Sequence, residues 1–381
     1  MTAPHSPPLR VLFYVQHLLG IGHLARASRI ASALAKDGCL VTVVTGGVPV
    51  NGFPGADVTS ITLPAVVASS AGFAGLADQN GNPVDEAFLS RRSHLLLDAF
   101  RQAAPDVVVI EAFPFGRRQM RFELLPLLDA IARSEPKPRL YTSVRDILQQ
   151  QKKPGRDEET VGLLRNHFDG VLVHGDPHFV RLEETFPLTE EIADKIVYTG
   201  LVAPVLPPEP EEVFDIVVSA GGGAVGRDLI RASLEAASRV ATDRRWLLIA
   251  GPNLPERDYA DLAGDAPENV ELVRFRKDFP SLLRRAELSI SQAGYNTVGD
   301  LLVAGCRAIL VPFTAGGETE QSVRAERLER LGLALALPEA GLTTDLLTEA
   351  VQTALSRPRP HNADIDLGGA ARTSAILRRV P

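Results

Sequence analysis

Short apolar, β-branched runs alternate along the chain with longer stretches whose apolar positions recur every three or four residues, which is the pattern of strands each followed by a helix. Arg10 to Gln16 (RVLFYVQ) reads as a first strand, and Leu24 to Lys36 reads as a helix with Ile30 and Leu34 on its apolar side. Gly38 is placed to close that helix as a C-cap. Leu40 to Thr45, Asp106 to Glu111, Leu140 to Val144 and Gly170 to His174 are further strands, each followed by polar or turn-forming residues. Such alternation favours parallel sheets covered by helices on both faces, so the fold class is α/β.

The pattern then restarts. Ala203 to Glu212 (APVLPPEPEE) concentrates prolines and glutamates, as a semi-rigid linker does. Beyond it, Asp215 to Ser219, Trp246 to Ala250, Val270 to Arg274, Leu288 to Ser291 and Ala308 to Val311 are strand candidates with helical patterns between them. The reading is two doubly wound, Rossmann-like domains, 1–205 and 206–365. Residues 366–381 read as a C-terminal helix, with packing back on the first domain as an expectation for the structure to decide.

Composition narrows the function classes. At 381 residues, two or three domains are expected. With 45% hydrophobic and 23% charged residues, the chain is an ordinary globular protein. Forty Lys and Arg against 47 Asp and Glu leave a net charge of −7, which argues against a nucleic-acid partner. Cys39 and Cys306 are too few for a disulfide framework, so a reducing, cytoplasmic setting is expected. No apolar run reaches the length of a membrane span. The small-residue segment Leu63 to Leu76 leaves peripheral membrane contact open.

Three glycine-containing turns follow strands and open helices, where backbone N–H groups and the helix dipole meet anions. The first is Gly20-Ile-Gly-His-Leu-Ala-Arg26. Its Gly22 allows close backbone approach, and two roles fit His23: a general base working near its ordinary pKa, or a residue that packs the helix start. Arg26, one turn on, suits an anionic group or simple solvation. The second, Ser219-Ala-Gly-Gly-Gly-Ala-Val-Gly226, fits a pyrophosphate cradle but lacks the ending of a P-loop, which disfavours ATP hydrolysis. The third, Ser291-Gln-Ala-Gly-Tyr-Asn-Thr-Val-Gly-Asp300, carries a carboxylate suited to ribose hydroxyls. A further Gly-rich loop ends in Glu320 and Gln321, which could read a sugar's hydroxyls or merely solvate the loop.

These motifs carry a resemblance. From Val217 to about Leu335, the runs VSAGGGAVG, VELVRFRKDFPSLLRRAELSISQAGYNTVGDLLVAGCRAILVPF and ETEQSVRAERL resemble the nucleotide-sugar domain of MurG-type glycosyltransferases of the GT-B fold. The N-terminal GxGHxxR element is similar both to the acceptor-domain loop of MurG and to the opening of PseG, a nucleotide-sugar hydrolase.

The resemblance implies two domains facing a cleft, a nucleoside diphosphate sugar (UDP-linked) as donor substrate, and no cofactor or metal. It places Gly222 and Gly223 at the diphosphate, with Ser291, Gly294 and Thr297 on its other side. It puts Asp300 at the ribose, Phe275 and Arg276 at the nucleobase, and Glu320 with Gln321 at the donor sugar. Arg324 stands where the family frequently has Asn, and Arg276 where it has an apolar residue. His23 becomes the base of an inverting displacement.

Glu111, Arg117, Arg118, Arg145 and Asp146 sit at or just beyond strand C-terminal ends in the first half, the edge where open α/β sheets bind ligands. With Arg26 they are the expected acceptor cleft, for a small-molecule, lipid-linked or glycan acceptor. Salt bridging between loops is the alternative for the same residues. The expected activity is sugar transfer, with a PseG-like hydrolase or a non-catalytic nucleotide-sugar-binding subunit as competitors.

Overall fold

The computed structural model describes residues 7–18, 22–69, 72–149, 153–221, 226–361 and 364–379. The chain divides into two compact units, Met1–Val202 with Asp366–Pro381, and Ala203–Ile365.

The first unit runs β1 (Arg10–Val15), α1 (Gly22–Lys36), β2 (Leu40–Thr45), β3 (Thr59–Thr62), β4 (Val67–Ser69), β5 (Gly72–Ala77), α2 (Glu86–Ala103), β6 (Val107–Glu111), α3 (Arg121–Ala132), β7 (Arg139–Arg145), α4 (Arg156–His167), β8 (Gly170–His174) and β9 (Ile196–Tyr198). Seven of these strands form a parallel sheet in the order β3-β2-β1-β6-β7-β8-β9, and β4 with β5 form an antiparallel pair. The sheet is buried on both faces, which explains why β1 reads as a continuous apolar run. Val11, Phe13 and Val15 point into one layer with Leu24, Ile30 and Leu34 of α1. Leu12 and Tyr14 point into the other with Leu96 of α2 and Leu124 and Leu128 of α3.

The second unit runs β10 (Ile216–Ser219), α5 (Arg227–Ala237), β11 (Trp246–Ile249), α6 (Glu256–Gly264), β12 (Val270–Val273), α7 (Phe279–Arg285), β13 (Leu288–Ser291), α8 (Tyr295–Ala304), β14 (Arg307–Leu310), α9 (Glu320–Arg330), β15 (Leu335–Ala336) and α10 (Thr344–Ser356). Its parallel sheet has the order β12-β11-β10-β13-β14-β15. Ile216, Val218, Trp246, Leu248 and Ile290 bury one sheet face against Ile230 of α5 and Val351 of α10.

The tail belongs to the first unit. Leu201 N–H donates to the Asp366 carbonyl at 2.8 Å and Gly369 N–H to the Leu201 carbonyl at 3.0 Å. The last helix, α11 (Gly369–Arg378), then buries Leu377 beside Leu34 and Val202. Ser374 donates to the Asp37 carboxylate at 2.6 Å.

One expectation changes here. In the segment considered for membrane contact, Leu63 and Val66 are fully buried in the core of the first unit and Ala68 and Leu76 pack against it. These side chains are therefore not available to a lipid surface. No helix among the described residues is long and apolar enough to cross a membrane. Cys39 and Cys306 are both buried and unpaired.

Candidate functional site

Each sheet reverses its strand order once, between β1 and β6 in the first unit and between β10 and β13 in the second, and ligands of open α/β sheets bind beyond the strand C-termini at that point. The two positions are built from different materials.

In the first unit the position is filled by charge. His23 is the second residue of α1, and Gly22 opens that helix. The parallel register pairs Tyr14 with Ile110, so Glu111 ends β6 beside the end of β1 and faces the start of α1. His23 Nδ1 lies 2.9 Å from Glu111 Oε1, and Arg26 donates to the same oxygen. The other carboxylate oxygen accepts from Ser143 Oγ at 2.5 Å. Ser143 in turn lies 2.9 Å from His174 Nε2, and His174 Nδ1 lies 2.8 Å from Thr199 Oγ1. A buried chain of polar groups thus runs from α1 across β6 and β7 to the end of β8.

Glu111 is fully buried, which by itself raises a carboxyl pKa; Arg26, His23 and Ser143 outweigh this and hold it at about 2. Burial, aided by Arg117 and Arg26 and opposed by Glu111, lowers His23 to about 3. The imidazole is therefore neutral at pH 7. An ionised carboxylate can only accept, so Nδ1 carries the proton and Nε2 presents a lone pair. The approach of Arg26 Nη2 to His23 Nδ1, 3.4 Å, is then two donors meeting on one acceptor and not a hydrogen bond between them. A side chain with a fixed tautomer, a free Nε2 and 20% exposure is equipped to take a proton from a ligand.

The expected acceptor residues separate into three groups. Glu111, Arg26 and Asp146 are 0%, 2% and 0% exposed, so they do not line a surface open to an acceptor. Glu111 and Arg26 hold His23, while Asp146 accepts from Ile147 N–H at 2.9 Å. Arg118 is ion-paired to Glu159 and donates to the Arg156 carbonyl at 2.6 Å, and Arg121 pairs with the same Glu159, so this cluster braces α4. Arg117 and Arg145 stay half-buried at the strand ends. Arg117 donates to the Gln16 carbonyl at 2.8 Å and acts electrostatically on His23. Its backbone is left-handed, φ 58°, as is that of Ala112, φ 65°, a conformation disfavoured for side-chain-bearing residues that clusters at functional loops.

Two features escape a residue-by-residue reading. Ser143 and Thr199 carry the polar chain, and their signal is a hydroxyl at or next to an otherwise apolar strand end. Arg92 of α2 is fully buried and forms a bidentate pair with Glu123 of α3, 2.7 and 3.0 Å, while Tyr14 donates to Glu123 at 2.5 Å. Arg92 also donates to Gln16 at 2.6 Å and to the Gly46 carbonyl at 2.8 Å, which fixes the ends of β1 and β2.

In the second unit the same position is built from backbone. Gly222 and Gly223 lie outside the described residues. Gly221, at φ +74°, sits where a Cβ would come 2.8 Å from Gln292 Oε1, and a Cβ on Gly226 would come 2.0 Å from that of Ala220. The loop leaving β10 is thus pressed against the loop leaving β13 and against the start of α5. Gly294 caps α8, and among the described residues a Cβ there would meet only Thr297 Oγ1, at 3.9 Å. Ser291 is fully buried at the end of β13, and its hydroxyl has no hydrogen-bond partner among the described residues. Asp300 lies in the second turn of α8 and is buried.

Phe275 is 64% exposed just past β12, a free aromatic face. Arg276 is committed elsewhere: it forms a bidentate pair with Asp278, both bonds 2.9 Å, and reaches Glu212 at 3.1 Å, carboxylates that raise its pKa. Its side chain is therefore not free for a base. Gln321 Oε1 accepts from Ala293 N–H at 3.0 Å and Phe313 N–H at 3.1 Å, so toward a ligand Gln321 acts as a donor only. Glu320 is 3% exposed and pairs with the fully buried Arg324 at 2.7 Å; Arg324 also donates to the Ala293 carbonyl at 2.8 Å. The Asn-to-Arg departure thus turns Glu320 into half of an internal ion pair. Asp364 and Asp366 form an Asp-x-Asp pair in the tail. Asp366 accepts from Gly368 N–H at 2.9 Å and pairs with Arg372 at 2.8 Å.

Residues 216–368 match the model of the glycosyltransferase family 28 C-terminal domain. Among curated proteins, the UDP-N-acetylglucosamine--N-acetylmuramyl-(pentapeptide) pyrophosphoryl-undecaprenol N-acetylglucosamine transferase of Thermotoga neapolitana is 28% identical over 179 residues, 47% of this chain and 51% of that protein. The enzyme of the same name from Phenylobacterium zucineum is 32% identical over 203 residues, 48% of this chain and 54% of that protein. The chain is MurG-like. It spans about half the length of these curated relatives. Solved structures extend the likeness in fold to nearly the whole chain. MurG of Acinetobacter baumannii matches with a TM-score of 0.62 at 16% identity, covering 97% of this chain and 100% of that one. The kitacinnamycin glycotransferase matches with a TM-score of 0.64 at 16% identity, covering 98% and 99%. The fold is therefore GT-B, with both units of the MurG-like chain Rossmann-like.

Proposed function

We propose that this MurG-like protein transfers a sugar from a UDP-linked donor to an acceptor hydroxyl, with His23 as the general base. The observation that carries the reading is the neutral, tautomer-fixed imidazole of His23, held by the ionised Glu111. The family 28 match in the second unit and the names of the curated relatives support a nucleotide-sugar donor.

In this mechanism His23 Nε2 takes the acceptor's hydroxyl proton as the oxygen attacks the anomeric carbon. The bond from that carbon to the diphosphate oxygen breaks, and the diphosphate leaves with the electron pair. Helix starts at α5 and α8 offer N–H groups and dipoles to the negative charge that develops. Inversion follows from a single displacement. Glu111 stabilises the imidazolium that forms on His23, as a positioning residue. The internal Glu320–Arg324 pair and the donor-only Gln321 favour a sugar read differently from the N-acetylglucosamine of the relatives.

The test begins with thermal shifts in UDP, GDP, TDP and ADP, each alone and as its sugar conjugate. A rise in melting temperature with UDP and its sugars is expected, and no response to any nucleotide sinks the reading. Mass spectrometry after incubation of the best donor with cell-envelope extract then decides the acceptor. A new glycoconjugate supports transfer, whereas free sugar alone assigns water as the acceptor.

A further inference from the structure

At the N-terminal edge of the second unit's sheet, away from the loops described above, five arginines and Glu287 line a cavity of about 640 Å³. The arginines are Arg244, Arg284, Arg285, Arg307 and Arg359. Glu287 precedes β13 and Arg307 opens β14, so the cavity lies a strand length, roughly 13 Å for four residues, from the β13 and β14 loops.

The charges do not balance. Arg244 pairs with Glu287 at 2.9 Å and Asp243 at 3.4 Å, while Arg284 and Arg285 share Glu209 at 2.5 and 3.9 Å. Three arginines thus meet three carboxylates. Arg307 and Arg359 meet none within ion-pair distance among the described residues. Arg307 donates instead to the Arg357 carbonyl at 2.6 Å and the Glu287 carbonyl at 3.2 Å, and Arg359 to the Ala286 carbonyl at 2.7 Å. Those bonds fix the two guanidiniums while leaving each further N–H donors. In a chain of net charge −7, this local surplus is not a by-product of overall basicity. Fixed, unpaired guanidiniums converging on one cavity repel each other until an anion joins them, and phosphate oxygens accept their paired N–H groups bidentately. The volume falls in the range of small-ligand sites.

We propose that this cavity binds a phosphate-bearing anion, separate from the donor loops, with Arg307 and Arg359 as its principal contacts. Free phosphate compounds and anionic lipid headgroups share that chemistry.

The test titrates inorganic pyrophosphate by calorimetry at low salt into the wild-type chain and an Arg307→Gln/Arg359→Gln variant whose unliganded melting temperature is checked first. In parallel, both proteins are sedimented with phosphatidylglycerol or phosphatidylcholine vesicles. The expected result is an arginine-dependent component of pyrophosphate binding, weakened at least tenfold in the variant. Retention on phosphatidylglycerol vesicles, released by pyrophosphate and lost in the variant, assigns a headgroup; pyrophosphate binding alone assigns a free anion. If the double variant does not fold, Arg359→Gln alone serves, because this exposed residue makes one hydrogen bond among the described residues, and severalfold weakening is expected. Identical wild-type and variant titrations together with no phosphatidylglycerol-selective retention overturn the proposal.

Discussion

The two sheets share one order over six strands, with β9 added in the first, and equip its reversal point in opposite ways. In the first unit, Glu111, Arg26, His23, Ser143 and His174 form a closed, buried chain of charges and hydroxyls. In the second, glycines press two loops together and Ser291 holds a buried hydroxyl with no partner among the described residues. Such a network is rigid and tolerates the loss of a member poorly, because each buried charge is stabilised by its neighbours in it. The glycine-bearing turns of the second unit need little from their own side chains. The first arrangement suits proton transfer at one fixed atom, and the second suits an anion supplied from outside.

The sharpest way to break this contrast is Glu111→Gln. It removes the Glu111 charge that the buried Arg26 guanidinium faces, a loss of about 3–5 kcal/mol by the usual behaviour of broken buried pairs. Urea unfolding should show that loss together with a fall in turnover of about 10² or more. Destabilisation below about 1 kcal/mol would show that solvent reaches Arg26 and that the network is not closed.

His23→Ala separates chemistry from folding. The side chain is 20% exposed at the edge of the network, so the melting temperature should shift little and the UDP-induced shift should persist. Turnover, followed as nucleoside diphosphate release, should fall about 10²-fold, roughly 2.7 kcal/mol of barrier. A variant that turns over normally makes His23 a packing residue of the α1 start.

How far the sequence could be read follows from the same contrast. Strands buried on both faces, such as RVLFYV in β1 and VVVIE in β6, announce themselves by continuous apolar runs. The edge strand β3, Thr59–Thr62, does not: it is four residues long, largely polar and mostly exposed. The two-residue β15 is set by its neighbour β14 and not by any pattern of its own. His23 and Glu111 were each visible as chemistry-bearing residues at a helix start and a strand end. Their partnership was not, since 88 residues separate them and the register of β1 on β6 creates it. The same register explains why Arg26 and Glu111, expected to face an acceptor, face each other. Arg324 was legible as a departure, but its pairing with Glu320 depends on the α9 backbone and on the Ala293 carbonyl.

Ser291→Ala probes the second arrangement. Removing a buried hydroxyl with no partner among the described residues should change stability by less than about 1 kcal/mol. If that hydroxyl meets the diphosphate, the donor KM rises about threefold to tenfold with kcat nearly unchanged. Equal loss in kcat would place its contact in the transition state, and no change in either would leave the cradle to backbone alone.

The smallest expected effect is on the pH profile of turnover, and its sign distinguishes a buried base from an ordinary histidine. His23 and His174 each have a folded pKa of about 3 against 6.5 for free imidazole, burial being the largest cause in both. Their neutral forms are the native ones, so their contribution to stability is complete above pH 6.5. Below it the unfolded chain binds two protons that the folded chain refuses, and stability falls by up to about 2.7 kcal/mol per pH unit. Glu111, with a folded pKa of about 2 against 4.5, adds a second loss only as the pH drops below 4.5. Acid unfolding should therefore begin near pH 6.5 in stability measurements. Turnover by the folded enzyme should meanwhile vary by less than about twofold between pH 5.5 and 7.5, since Nε2 stays unprotonated throughout. A rate that falls tenfold per unit below pH 6.5 while the protein stays folded would mean that His23 titrates as in water. The ionised Glu111 and the burial would then not be setting its proton affinity.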